Sequence, residues 1–286
     1  MTYCEKDTTI QPLSEETVLI IGHGGGGDHC HDRYDISRTC HNRYSAIKEG
    51  LSLFEGIEVD VQVSKDSVIY VGHDTILADS SYGPIINFLT SHQIDSLNSK
   101  YDSSHHILSL EQVIQMFLKT PKENAKLISL DIKNYYHQGS YWQRFCKDSC
   151  DRMKNSYRKV FALSLKRSLD KHPKIKDRLA VEGWDIQQLE EIHRFTPEVR
   201  YKCLVIRTFT PDIQALLRQR EYVNCISKPI ETTTKREFEQ IRDFFIKRQN
   251  KDFLIQLWTA TDSLNLRKAK SIIKGPATIQ ADKYAL

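Results

Sequence analysis

Eight short β-like runs alternate with amphipathic helical stretches along the 286 residues of this chain. That alternation predicts an α/β fold, a single-domain (β/α)8 barrel of the TIM type. Its length suits one large α/β domain or two small ones. In two of the runs polar residues share one face and apolar residues the other. A barrel strand that lines a lumen on one side and meets helices on the other has that pattern. An open doubly wound sheet is the alternative that the same alternation allows.

In chain order, the predicted strands cover 17–22, 56–63, 126–132, 178–183, 200–206, 222–226, 253–259 and 277–281. Amphipathic helical patterns cover 44–54, 109–119, 186–194, 211–220, 235–248 and 263–273. Residues 1–16 read as a polar N-terminal extension and 17–286 as the barrel. Within it, 134–177 is a long insertion between the third and fourth predicted strands, with a helix expected around 142–157. The helix at 235–248 is basic and carries Phe238, Ile241, Phe244 and Phe245 as an apolar stripe. Packing of that stripe on the sheet is expected, with a membrane-surface role as the alternative.

Composition narrows the function classes. The chain is 40% hydrophobic and 27% charged, with a net charge of +4. That balance suits anionic substrates and falls short of the concentrated positive field that nucleic-acid binding needs. No apolar stretch is long enough to span a membrane. The first sixteen residues carry Glu5, Lys6, Asp7, Glu15 and Glu16, which do not fit a signal peptide or an anchor. Seven cysteines without disulfide-scaffold spacing favour a reducing compartment, so a soluble, cytoplasmic protein is expected.

The most informative segment is Ile57-Glu58-Val59-Asp60-Val61. Alternation puts Glu58 and Asp60 on one face of a strand whose other face is apolar. Two like charges side by side are costly to bury, and a hard divalent cation held by oxygen ligands is the commonest reason to do so. On the predicted third strand Ser129, Asp131 and Lys133 share a face, so Asp131 joins the pair as a third oxygen ligand. An Asp–Lys ion pair on an edge strand is the plainer reading. Two histidines end apolar runs, His23 after Ile20-Ile21-Gly22 and His73 after Val71-Gly72. Two histidines with an acidic set are the equipment of metal-assisted acid–base chemistry.

Other motifs carry less. Gly22-His23-Gly24-Gly25-Gly26-Gly27 fits G-x-G-x-x-G after a strand, but no apolar helical period follows, so a dinucleotide site is not expected. His29, Cys30, His31, Cys40 and His41 could supply soft zinc ligands, yet lack C-x-x-C or H-x-x-x-H spacing. A loop beside the site is the plainer reading of 28–41. Cys146 and Cys150 share a helix face, where ordinary packing is expected.

With these motifs together, the chain resembles the glycerophosphodiester phosphodiesterases. The likeness runs through Ile21-Gly22-His23, Asn42, the strand with Glu58 and Asp60, Ser64-Lys65-Asp66 and Val71-Gly72-His73-Asp74. It continues through Leu108-Ser109-Leu110-Glu111-Gln112-Val113, Leu130-Asp131-Ile132-Lys133, Leu257-Trp258-Thr259 and Ile279-Gln280-Ala281-Asp282. The resemblance implies that Glu58, Asp60 and Asp131 hold one divalent cation, Mg²⁺ or Ca²⁺. It implies His23 and His73 as the acid–base pair, and Lys133, Trp258 and Asn42 on the substrate side. The expected partner is a small-molecule or lysolipid phosphodiester, with no nucleic acid. Two positions depart from the family. Gly24 stands where an arginine usually follows the first histidine, and Arg33, Arg38, Arg43 or Lys228 could replace it. Asp131 stands where a glutamate is usual. Both departures also resemble the sphingomyelinase D-like phospholipases, which leave a cyclic phosphate. The flanking motifs favour the phosphodiesterase, and a non-catalytic phosphate-binding barrel is a third alternative.

Overall fold

The computed structural model describes residues 17–26, 41–73, 86–100, 102–121, 126–133, 150–250, 252–282 and 286. The N-terminal extension 1–16, most of the loop 28–41 and residues 134–149 of the insertion lie outside them, as do Arg33, Arg38 and Cys146.

Eight parallel strands close into a barrel surrounded by helices. They are β1 (Val18–Gly22), β2 (Gly56–Val63), β4 (Leu127–Ile132), β5 (Leu179–Gly183), β6 (Tyr201–Val205), β7 (Cys225–Pro229), β8 (Leu254–Ala260) and β9 (Ala277–Ala281). The order β1-β9-β8-β7-β6-β5-β4-β2 closes where Gly22 of β1 meets Ile57 of β2. The closure excludes the open sheet. A short strand, β3 (Ile69–Val71), adds to β2 antiparallel. The sixth predicted strand lies three residues further on, at β7.

The helices are α1 (Tyr44–Leu53), α2 (Ser91–Asn98), α3 (Leu110–Lys119), α4 (Cys150–Lys171), α5 (Ile186–Phe195), α6 (Pro211–Arg218), α7 (Lys235–Lys247) and α8 (Ser263–Ile272). Their starts follow from local chemistry. At α3, Ser109 and Gln112 form a reciprocal capping box, a device contributing about 1 kcal/mol. Its Leu110, Val113, Ile114 and Phe117 face inward at helical spacing and are buried. Each such side chain contributes roughly 1.5–3 kcal/mol. In α7, Phe238, Ile241, Phe244 and Phe245 are buried in the main core. That helix is therefore a barrel helix, and its stripe is not open to a membrane surface. No described helix is long and apolar enough to cross a membrane.

Alternation sorts every strand. Ile57, Val59 and Val61 of β2, with Ile128, Leu130 and Ile132 of β4, pack in the core shared with the helices. The opposite faces fill the lumen in storeys. Leu19, Ile21, Leu127, Ala180, Tyr201, Cys203, Cys225 and Leu254 make a separate apolar cluster at the floor. Above it come Ser129, Glu182, Ser227, Gln256 and Gln280, all buried. Near the carboxyl ends come Asp60, Asp131, Trp258 and Asp282. Cysteine spacing predicted no disulfide scaffold, yet Cys203 and Cys225 are bonded to each other. They are register partners in neighbouring strands, with Cα atoms 4.1 Å apart.

The loop after β1 is pressed onto α1. A Cβ built on Gly50 of α1 would stand 1.6 Å from the Gly25 carbonyl oxygen, so only glycine lets helix and loop approach this closely.

Candidate active site

Glu58 and Asp60 enter the lumen from β2 and Asp131 from β4, with Asp60 and Asp131 register partners. One oxygen from each of the three carboxylates lies within 4.8 Å of the others. All three acids predicted from the sequence are thus brought together, in a closed barrel and not on an edge strand. Hard carboxylate oxygens at this spacing fit a hard divalent cation. Asp131 Oδ1 is buried with no hydrogen-bond partner among the described residues, as an oxygen reserved for a ligand is. Glu58 is 1% exposed. Burial, then the charges of Asp60, Glu182 and Asp131, push its pKa well above the usual carboxylate range. The Gly24 N–H, donating at 2.8 Å, works the other way and favours its ionised form.

Asp60 behaves oppositely. Burial opposes its ionisation, but the Lys133 ammonium, with His73 and His23, overrides this and holds its pKa below the usual range. Lys133 Nζ sits 2.7 Å from Asp60 Oδ1 and 2.6 Å from Asp131 Oδ2. Its ammonium therefore neutralises two of the three acids. Asn42 holds a left-handed backbone (φ 60°) before α1, which asparagine tolerates. From there its side chain accepts the Asp60 N–H at 2.9 Å and donates to the Asp60 carboxylate.

His23 opens a 3-10 turn directly after β1, and Nδ1 lies 3.0 Å from Asp282 Oδ1. Burial lowers its pKa, with Asp282 working in the opposite direction. His73 follows β3, exposed, and acts electrostatically on Asp60. The adjacent Gly72 N–H donates to the Asp60 carbonyl at 2.8 Å, tying that turn to β2. Trp258, at the end of β8, meets Trp184 edge to face at 6.3 Å, and the Arg207 guanidinium lies 6.0 Å above Trp184. Lys228 cannot replace the missing arginine. It is fully buried, 3.1 Å from Glu237 and donating to the Arg207 carbonyl.

Three site residues escaped the sequence reading as functional positions. Glu182 accepts hydrogen bonds from Ser129 and Ser227, each at 2.6 Å, from Gln280 at 2.9 Å, and from Gln256. Strand parity identifies it, since β5 registers Glu182 beside Asp131. Asp282 directly follows β9 and falls on the lumen face by the same parity. His41 was seen only as a soft-metal candidate. It packs edge-on to His23, with centroids 4.6 Å apart.

A cavity of about 520 Å³ lies at the end of the barrel opposite these carboxylates, beside His193, Lys202, Tyr222 and Asp252. Its cations serve the scaffold. Arg200 pairs with Asp252 at 3.1 Å, and Lys202 donates to the Pro197 and Val199 carbonyls.

A closed parallel barrel with carboxylates and a histidine converging at the carboxyl ends of its strands defines a TIM-barrel enzyme site. The family model for the glycerophosphoryl diester phosphodiesterase family matches residues 24–277. The chain belongs to this family and is a phosphoric diester hydrolase by that membership. Solved structures agree on the fold. A putative glycerophosphoryl diester phosphodiesterase from Silicibacter pomeroyi DSS-3 aligns with a TM-score of 0.71 at 13% identity, covering 96% of this chain and 93% of that one. An Oleispira antarctica phosphodiesterase, solved with the product sn-glycerol-3-phosphate, aligns at 0.64 and 14%, covering 93% of each. The glycerophosphodiester phosphodiesterase of Thermotoga maritima aligns at 0.61 and 17%, covering 94% of this chain and 96% of that one. No curated protein sequence matches the chain.

Proposed function

We propose that this protein hydrolyses a glycerophosphodiester or a lysophospholipid-type phosphodiester, using His23 and His73 as the acid–base pair beside one divalent cation, Mg²⁺ or Ca²⁺. The observation that carries the reading is the convergence of Glu58, Asp60 and Asp131 within 4.8 Å, beside His23 and under the electrostatic influence of His73. Those three carboxylates would hold the cation, which when bound neutralises charge on a phosphate oxygen.

The remaining work falls to the chain itself. Burial depresses the pKa of His23, which favours the neutral ring and suits it to take the proton from the attacking water. His73, exposed at the rim, is suited to protonate the departing alkoxide. Lys133 and Asn42 fix Asp60 and Asp131 in orientation, and Lys133 lends positive charge to the phosphate end of the site. Trp258, against Trp184, walls the space for the alcohol moiety. The product of the Oleispira antarctica neighbour, sn-glycerol-3-phosphate, has the size and charge this arrangement suits. The single catalytic barrel over 17–286 belongs to the same proposal, as does a cytoplasmic location, which requires the buried Cys203–Cys225 bond to persist in a reducing medium.

³¹P NMR with glycerophosphocholine and lysophosphatidylcholine, each with Mg²⁺ and then Ca²⁺, tests the reading. A phosphomonoester product is expected. A cyclic phosphate would instead assign the sphingomyelinase D-like reaction, the outcome that Gly24 and Asp131 recommend as the alternative. Absence of turnover with either cation would point to the binding barrel.

A further inference from the structure

Two histidines meet over one carboxylate oxygen. His23 Nδ1 lies 3.0 Å from Asp282 Oδ1, and His41 Nε2 lies 3.4 Å from the same atom. All three side chains are largely buried, between 10% and 17% exposed. Asp282 is itself fixed, since its N–H donates to the Ala260 carbonyl of β8 at 2.9 Å. His41 fits against Gly24 so closely that a Cβ there would stand 2.5 Å from its ring.

We infer that Asp282 is a positioning residue for His23, with His41 as its buttress: the shared carboxylate fixes the proton of His23 on Nδ1 and leaves Nε2 as the nitrogen that exchanges protons. The inference rests on the proposed acid–base role of His23. An ionised carboxylate is an acceptor only, so the nitrogen facing it must carry hydrogen in both charge states of the ring. Burial works against ionisation of Asp282, but the facing imidazoles of His23 and His41 hold its pKa below the usual carboxylate range. When His23 gains a second proton, Asp282 supplies the facing negative charge. His41, on the same oxygen, keeps that carboxylate from turning away. The arrangement follows the general pattern of an imidazole oriented by a carboxylate.

Full-length protein labelled with ¹⁵N at histidine tests this through the two-bond ¹⁵N–¹H spectrum, with the His23 signals identified by their loss in His23→Gln. The wild-type ring is expected as the Nδ1–H tautomer. Asp282→Ala should move it to the Nε2–H form usual for histidine in water, and should lower kcat/KM about 100-fold with little change in KM. His41→Phe keeps the ring contact but removes the nitrogen, and should retain the Nδ1–H tautomer while lowering kcat by about tenfold. A wild-type Nε2–H tautomer would overturn the inference without recourse to any variant, and so would Nδ1–H surviving in folded Asp282→Ala. Wild-type protein that turns over neither phosphodiester would sink the proposed function alone, because the tautomer still decides the positioning.

Discussion

Asn42 grips Asp60 at two points, accepting its backbone N–H at 2.9 Å and donating to its carboxylate. A side chain from the loop before α1 thus sets the rotamer of an acid on β2. Asn42→Ala should lower affinity for Mg²⁺ or Ca²⁺ by about 10- to 100-fold. Isothermal titration with each cation would measure this, and unchanged affinity would remove Asn42 from the arrangement that orients the site.

Cation binding and proton transfer should separate by mutation. Millimolar Mg²⁺ or Ca²⁺ should raise the melting temperature of the wild type, a ligand at 100 times its Kd contributing about 2.7 kcal/mol. Glu58→Ala should lose that rise and activity together. His23→Ala and His73→Ala should keep the rise yet lose turnover by roughly 100-fold or more. Thermal melts with and without cation, paired with kcat/KM, check this. A His73→Ala enzyme at full activity would end the proposed mechanism.

Glu182 makes stability depend on pH. Burial, then the charge of Asp131, raises its pKa from 4.5 to about 7, against the bonds from Ser129, Ser227 and Gln256. Between those values the folded protein keeps a proton that the unfolded chain has released. Cation-free stability should therefore fall as pH rises from 4.5 to about 7, by about 3 kcal/mol from this group, and then level off. Glu182→Gln preserves the acceptor facing Ser129, Gln256 and Gln280, and should remove that part of the slope. Urea midpoints at pH 5 and pH 8 compare the two. Parallel slopes in wild type and variant would exclude Glu182 as the cause.

Gly24 has φ +54°, and a Cβ there would meet His41 Cγ at 2.5 Å. Gly24→Ala should cost about 1–3 kcal/mol and dislodge His41 from His23. Chemical denaturation reads the first effect, and the His23 ¹⁵N signals read the second. A variant as stable as wild type, with an unshifted spectrum, would show that the loop yields.

The barrel was legible because its strands obey parity. Glu58, Asp60 and Asp131 declare an inward face, and Ile57, Val59 and Val61 declare the outward one. Where local signals conflict, the reading slipped. Lys and Pro are depleted in strand interiors, which hides the end of β7 from a local reading. Lys228 and Pro229 belong to β7 because Ser227 turns inward to Glu182 and Lys228 is neutralised by Glu237. β3 is too short to show a period. Its pairing with β2 fixes it instead, as does the Val71 N–H donating to the Leu108 carbonyl. Asp282 and His41 lie 241 residues apart in the sequence. Their convergence on His23 is a product of barrel closure, which no window along the chain contains. The Cys203–Cys225 bond has the same origin, because register between two strands decides it, not spacing.

The contact between Gly50 and the Gly25 carbonyl carries the chemistry outward to a place that has none. Because helix and loop touch with no side chain between them, the stance of His23 is inherited from the backbone of α1. Even one methyl group on that helix would act as a wedge, prising the loop from its seat while leaving every acid and histidine intact. A survey of inactivating substitutions that looked only for lost functional groups would therefore overlook position 50, the hinge-pin on which the loop's aim depends.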